Sequence, residues 1–293
     1  MADSASRRSF LFGRQATAHD DWSKFVVTLR RACQGSVRLL AEREAHLLPA
    51  SLDDVIQARQ LCQSYHVLMV LQGIELPACD RGKFILWVEA GSAWGSLIPL
   101  GDSGLWRVDA GCTLAVMQAA GLVQAPETGG VENLGLWFAS AYRHLSLSRS
   151  GLDGRLVSID WLLPNGTIEV FGAFGAQDAQ PLASLAAQKL VPKLFELSGA
   201  PEVRAGIDRQ LWPSRFHLDA LLDVNQVNLA HFFIGHGGAL GWLVAATFKK
   251  TEIALDSPIQ HGIGEDVMAE LDAQTKDIVD PDKVFVSLSD QNR

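Results

Sequence analysis

The sequence predicts an α+β fold, and three observations carry that expectation. Uncharged apolar runs of strand length stand at residues 67–71 and 242–246. A helical pattern fills residues 52–65, with Val55, Ala58, Leu61 and Cys62 on one face. Pro164-Asn165-Gly166 separates two further apolar runs, and Asn-Gly between such runs is a hairpin signal. Helices and strands therefore alternate along the chain around a glycine-rich mixed core.

The elements follow in order. Ser6-Arg7-Arg8-Ser9-Phe10-Leu11-Phe12 is like a twin-arginine export motif. Such a signal needs an apolar stretch next, but residues 15–23 are polar and include His19, Asp20 and Asp21. The expectation is an uncleaved N-terminal segment on a cytoplasmic protein. An amphipathic helix over residues 21–34 follows, with Phe25, Val26, Leu29 and Cys33 on one face. That helix docks on the domain, or serves as a tag for a partner. The helix at 52–65 has Ser51 as a candidate N-cap, with Asp53 and Asp54 in its first turn. Strands are expected at 67–71, 84–89 and 106–109, then a helix at 113–120 after Gly111. The hairpin pairs a strand from Val157 with one over 168–171. Helices are expected over 183–197 and 203–210, separated by Gly199-Ala200-Pro201, and a buried strand begins at Trp242.

Composition bounds the function. The 293 residues suffice for one large domain or two small ones, with 48% hydrophobic and 20% charged residues. Net charge is −8 and the isoelectric point is near 5.5. Nucleic acids and anionic membranes need clustered Lys and Arg, so neither is an expected partner. No apolar run is long enough for a membrane span. Cys33, Cys62, Cys79 and Cys112 lack metal or Cys-x-x-Cys spacing, as expected of reduced thiols and no metal site.

The densest chemical signal is Phe233-Ile234-Gly235-His236-Gly237-Gly238-Ala239-Leu240-Gly241-Trp242-Leu243. Gly235, Gly238 and Gly241 stand three apart before the buried strand. Glycine allows positive φ and lets a ligand approach the main chain, so this turn either receives a cofactor or packs tightly in an apolar core. His144, His217, His231 and His261 are dispersed, and no His-x-x-x-His or Gly-x-Ser-x-Gly pattern occurs. A lone histidine is more often a hydrogen-bonded core or surface residue than a base. The catalytic residues are unknown at this level.

Four collinear segments carry a resemblance. They are Pro49-Ala50-Ser51-Leu52-Asp53-Asp54-Val55, Arg107-Val108-Asp109-Ala110-Gly111-Cys112-Thr113-Leu114, Val157-Ser158-Ile159-Asp160-Trp161-Leu162-Leu163-Pro164-Asn165-Gly166, and the glycine segment at 235–241. In this order they resemble the FAD-binding domain of the p-cresol methylhydroxylase and vanillyl-alcohol oxidase family, the PCMH type. The resemblance spans roughly residues 45–255. It implies two α+β subdomains with noncovalent FAD between them. It further implies an N-terminal segment with its docking helix over 1–44, an FAD-binding domain over 45–255 with a helical insertion at 178–215, and a short extension over 256–293. The family's substrate cap is largely missing, because only 43 residues follow Lys250.

By the same resemblance, the cofactor-binding positions are Gly73, Ile74, Pro126, Gly129, Gly130, Gly135, Gly151, Gly235, His236, Gly238, Gly241 and Leu243. The chain departs from the family twice near them. The first loop, Gln72-Gly73-Ile74-Glu75, keeps one glycine and lacks the usual arginine, and Leu136 replaces the second glycine after Asn133-Leu134-Gly135. The family implies an FAD-binding subunit of a flavin-dependent oxidoreductase acting on a 2-hydroxy acid or related small organic acid. Without a cap, the chain resembles the small flavin subunit of glycolate oxidase, and a partner chain would supply substrate walls or an electron route. Two alternatives stay open: a flavin-free domain kept as a structural, partner-binding subunit, and a small self-sufficient FAD-dependent dehydrogenase.

Overall fold

The computed structural model describes residues 18–123, 133–140, 155–175, 180–207, 214–222, 227–250 and 269–288. Its described strands form two sheets. The first contains β1 (Ser36–Ala41), β2 (Glu44–Leu48), β3 (Leu68–Leu71) and β4 (Ile85–Val88), in the order β1-β2-β4-β3. β1 and β2 are antiparallel, whereas β2 and β3 both run parallel to β4. The second contains β5 (Leu97–Pro99), β6 (Leu105–Asp109), β7 (Leu156–Leu162), β8 (Ile168–Phe174), β9 (Val227–Asn228) and β10 (Trp242–Lys249). Its order is β5-β6-β10-β7-β8-β9, antiparallel throughout. A parallel-rich sheet joined to an antiparallel one is the two-subdomain α+β class expected from the sequence, and it is consistent with a PCMH-type domain. The 19 residues between β10 and the last described helix leave no length for a cap of over a hundred residues.

The helices bury their apolar stripes on these sheets. α1 (Ala18–Ala32) places Trp22, Phe25, Val26 and Leu29 inward. Trp22 stacks on Phe25 at 5.4 Å and on Phe84 at 5.1 Å, and Phe25 meets the edge of Tyr65. α2 (Leu52–Tyr65) has the expected bounds, with His66 closing it in the left-handed region at φ 54°. Ser51 has the extended N-cap backbone, but its side chain makes no capping bond. Asp54, in the first turn, instead ties the helix start to the preceding chain. It is buried and accepts the N–H groups of Gln34, Gly35 and Ala50, each at 2.8 Å. One carboxylate thus joins the start of α2 to the turn before β1.

α3 (Leu114–Ala119) is capped by Thr113, whose hydroxyl oxygen accepts from Val116 N–H. α4 (Leu134–Ser140) follows, and Asn133 accepts from Leu136 N–H while donating to the Ala90 carbonyl. The hairpin at Asn165-Gly166 forms as expected, with Gly166 at φ 88°. α5 (Leu185–Ser198), α6 (Pro201–Ile207), α7 (Leu229–Phe232) and α8 (Ala269–Val279) complete the described helices. Glu169 on β8 accepts the N–H groups of Ala183 and Ser184, fixing the entry to α5.

Several elements had no counterpart in the sequence reading. β1 is almost wholly exposed, so it lacks the alternation that marks a half-buried strand. α4 lies over the Asn133-Leu134-Gly135-Leu136 stretch, for which the sequence suggested no helix. α8 buries Leu271, Thr275, Lys276 and Val279, and two of those four are polar, which hides its helical period.

Candidate functional site

The crevice between the two sheets collects the ends of many elements. The turn after β3 brings Gly73 and Ile74, Ala90 follows the end of β4, and Ala110 follows the end of β6. α4 supplies Gly135 and Leu136, and the glycine segment joins α7 to β10. The expected positions Gly135, His236, Gly241 and Leu243 line one small cavity there, together with Leu71, Ala90, Ala110 and Trp242. Its volume is about 10 Å³, room for about one water. Gly73, Ile74, Gly235 and Gly238 lie in the surrounding shell. Pro126, Gly129, Gly130 and Gly151 lie outside the described residues.

The glycine segment needs its glycines for backbone reasons. Gly235, Gly237, Gly238 and Gly241 have φ of 70°, 60°, 76° and 144°, values that L side chains rarely adopt. A Cβ on Gly241 would lie 2.5 Å from Trp161 Nε1 and 2.7 Å from the Leu162 carbonyl. Four of the segment's donors are engaged within the protein. Gly235 N–H donates to the Phe138 carbonyl and Gly237 N–H to the Ala139 carbonyl, both at 2.9 Å. Gly238 N–H donates to His236 Nδ1 at 3.1 Å, and Ala239 N–H to the His236 carbonyl at 3.0 Å. Lys276 Nζ closes the remaining side, donating to the Ala239 carbonyl at 2.6 Å.

His236 is a core residue. It is 2% exposed, stands edge-on to Trp161 at 4.8 Å and faces Phe138 at 6.3 Å. Burial pushes its pKa down to about 3, and the positive charges of Arg215 and Lys276 push the same way. The ring is therefore neutral. Its Nδ1 accepts from Gly238, so the proton sits on Nε2.

Lys276 ties this segment to the C-terminal strap. Its ammonium pairs with Asp280 at 2.5 Å and also donates to the Phe285 carbonyl at 3.3 Å. Burial lowers the lysine pKa, and Asp280 partly opposes that shift. Asp280 accepts the N–H groups of Val284 and Phe285. Met69 N–H donates to the Val284 carbonyl and Phe285 bridges to Met69 in parallel, so the strap runs beside β3. Asp80 holds its far end through Ser287 N–H and hydroxyl, at 2.7 and 2.8 Å.

A second buried polar group lies behind the second sheet. His217 Nδ1 is 3.4 Å from Asp219 Oδ1. Burial and the neighbouring His231 push His217 down to about 3, whereas burial pushes Asp219 up to about 6. Among the described residues no cluster of three or more His, Cys, Asp or Glu can hold a metal, and no described helix is long and apolar enough to cross a membrane.

The resemblance implies FAD, and the described residues do not fit it. A dinucleotide pyrophosphate needs free main-chain N–H groups, and four in the glycine segment are committed to internal acceptors. In the turn after β3, Gln72 N–H is engaged by the Val88 carbonyl and Ile74 N–H by the Leu71 carbonyl. Side chains fill the space above. A Cβ on Gly73 would lie 2.7 Å from Leu136 Cδ2, and one on Gly238 would lie 3.6 Å from both Ile74 Cγ1 and Val286 Cγ2. The substitution of Leu136 for glycine was visible in the sequence. Trp161 and Val286 were not, because they reach the crevice from distant elements.

No family model matches the sequence, and no curated protein matches it. Among solved structures, alkyldihydroxyacetonephosphate synthase in two crystal forms, P1 and P212121, is similar to the chain at 14% identity. The match covers 70% of this chain and 31% of those chains, with TM-scores of 0.41 and 0.40. The chain thus spans under a third of the length of these structures, and the likeness carries no statement about its site.

Two outcomes follow from the packing. Gly241→Ala should destabilise the protein by about 3 kcal/mol or more, because backbone and indole both meet the new methyl. Gly82→Ala, at φ 86° with no atom within 4 Å of the methyl, should cost about 1 kcal/mol by urea unfolding. The second outcome concerns pH. His236 stays neutral in the folded state, whereas in the unfolded chain it protonates near pH 6.5. Its contribution is therefore intact above pH 6.5 and lost as pH falls toward 3. Between pH 7 and pH 5 the wild type should lose about 2 kcal/mol relative to His236→Asn. Parallel stability profiles for the two proteins would contradict the assignment.

Proposed function

We propose that this chain is a flavin-free subunit of an oxidoreductase-type assembly, a flavoprotein-like two-sheet domain kept for binding a partner protein. One observation carries the reading: the crevice where the two sheets meet is filled by the chain's own side chains, with the N–H groups of Gly235, Gly237, Gly238 and Ala239 bonded internally. Among the described residues, the cavity beside the buried, neutral His236 is about 10 Å³, smaller than a substrate needs. With the crevice sealed, the surface is what remains to act. Leu39 and Leu40 on the β1 edge are 53% and 56% exposed, and Ile98 on the β5 edge is 50% exposed. Sheet edges with exposed apolar side chains, as these are among the described residues, suit a protein partner better than a small molecule.

The second reading is an FAD-binding subunit that oxidises a 2-hydroxy acid or related small organic acid with a partner chain. It is favoured by the convergence of Gly73, Gly135 and the 235–241 segment on one crevice. Purified protein separates the two. On the flavin-free reading its visible spectrum is featureless before and after heat denaturation, and added FAD gives no saturable change in fluorescence. A flavin band released on unfolding would replace this reading with the second.

A further inference from the structure

The crevice is closed by two different kinds of wall, and only one is made of side chains. At Gly241 the nearest atoms to a built Cβ are the Trp161 indole and the Leu162 carbonyl, and at Gly135 they include the Ala110 carbonyl. At both positions a main-chain carbonyl stands in the wall, beside the Trp161 indole at Gly241 and the Ala110 and Asn133 side chains at Gly135, so the backbone frame is part of it. At Gly73 all three nearest atoms belong to the Leu136 side chain, and at Gly238 all belong to the side chains of Ile74 and Val286. We infer that Ile74, Leu136 and Val286, from three separate elements, form a steric plug whose side chains, rather than the frame beneath, exclude a planar flavin ring from the crevice. This inference rests on the flavin-free reading.

The plug is held from outside. Asn133 fixes the first turn of α4 and so sets Leu136 over Gly73. The strap carrying Val286 is clamped by Asp280 on one side and by Asp80 on the other. Ile74 follows Gly73, whose φ of 98° turns the chain out of β3. None of these anchors uses the plug side chains themselves. Shortening Ile74, Leu136 or Val286 therefore removes apolar volume while leaving the hydrogen bonds that position the strap, α4 and the glycine segment.

The test uses the full chain and two probes, riboflavin for the ring alone and FAD for the ring with its pyrophosphate. Leu136→Ala, Ile74→Ala and the triple variant Ile74→Ala/Leu136→Ala/Val286→Ala are titrated by flavin fluorescence, with the exposed Leu185→Ala as control. Leu136 and Ile74 are half-buried, so the single variants keep the test open if the triple variant does not fold. The expected result is riboflavin binding about tenfold or more tighter in Leu136→Ala, and in a folded triple variant, than in wild type and Leu185→Ala. FAD gains less, because the main-chain N–H groups stay engaged. Folded variants that bind riboflavin no better than wild type overturn the plug and leave the flavin-free reading standing. Saturable binding of either probe by wild type overturns the flavin-free reading itself.

Discussion

A single buried ammonium organises the centre of this molecule. Lys276 on α8 reaches the Ala239 carbonyl of the glycine segment, the Asp280 carboxylate and the Phe285 carbonyl of the strap. A charge so buried persists only when paired and hydrogen-bonded, and removing one partner of such a pair costs about 3–5 kcal/mol. The constraint propagates outward. With Asp280 fixed, Val284 and Phe285 lie beside β3, and Val286 lies on Gly238. The C-terminal strap, the parallel sheet and the glycine turn therefore form one packed unit.

That unit explains why glycines persist in a crevice that takes no flavin on the reading proposed here. Gly235, Gly237, Gly238 and Gly241 all have positive φ, and Gly241 has Trp161 pressed against it. Tight packing demands these residues as strictly as a cofactor would. On the reading proposed here, the choice between a cofactor turn and a close-packed turn falls to the close-packed turn because four N–H groups point to internal acceptors. Phe138 and Ala139 on α4 accept two of them, and His236 accepts two more.

Local chemistry made much of the frame legible. Residues 52–65 carried a clear helical stripe, and Asn165-Gly166 announced its hairpin by the positive φ the turn requires. The apolar run from Trp242 read as a buried strand because it lies at the centre of the antiparallel sheet between β6 and β7. Illegible features depended on long-range partners. Asp54 rather than Ser51 anchors the start of α2, through the N–H groups of Gln34 and Gly35, which lie 20 and 19 residues away in sequence. Lys276 and Thr275 break the apolar stripe of α8 because one is paired by Asp280 and the other is enclosed by packing. The filling of the crevice combines Leu136, Ile74, Val286 and Trp161, side chains that no local pattern relates.

Native-state hydrogen exchange at the glycine segment tests the central claim most directly. If Gly235, Gly237, Gly238 and Ala239 are sealed by internal acceptors, their amides exchange only through global unfolding, at rates that excess FAD leaves unchanged. Fast exchange at these four amides in the folded protein, or protection that appears only with FAD, would contradict it. The segment would then be an open cradle rather than part of the core.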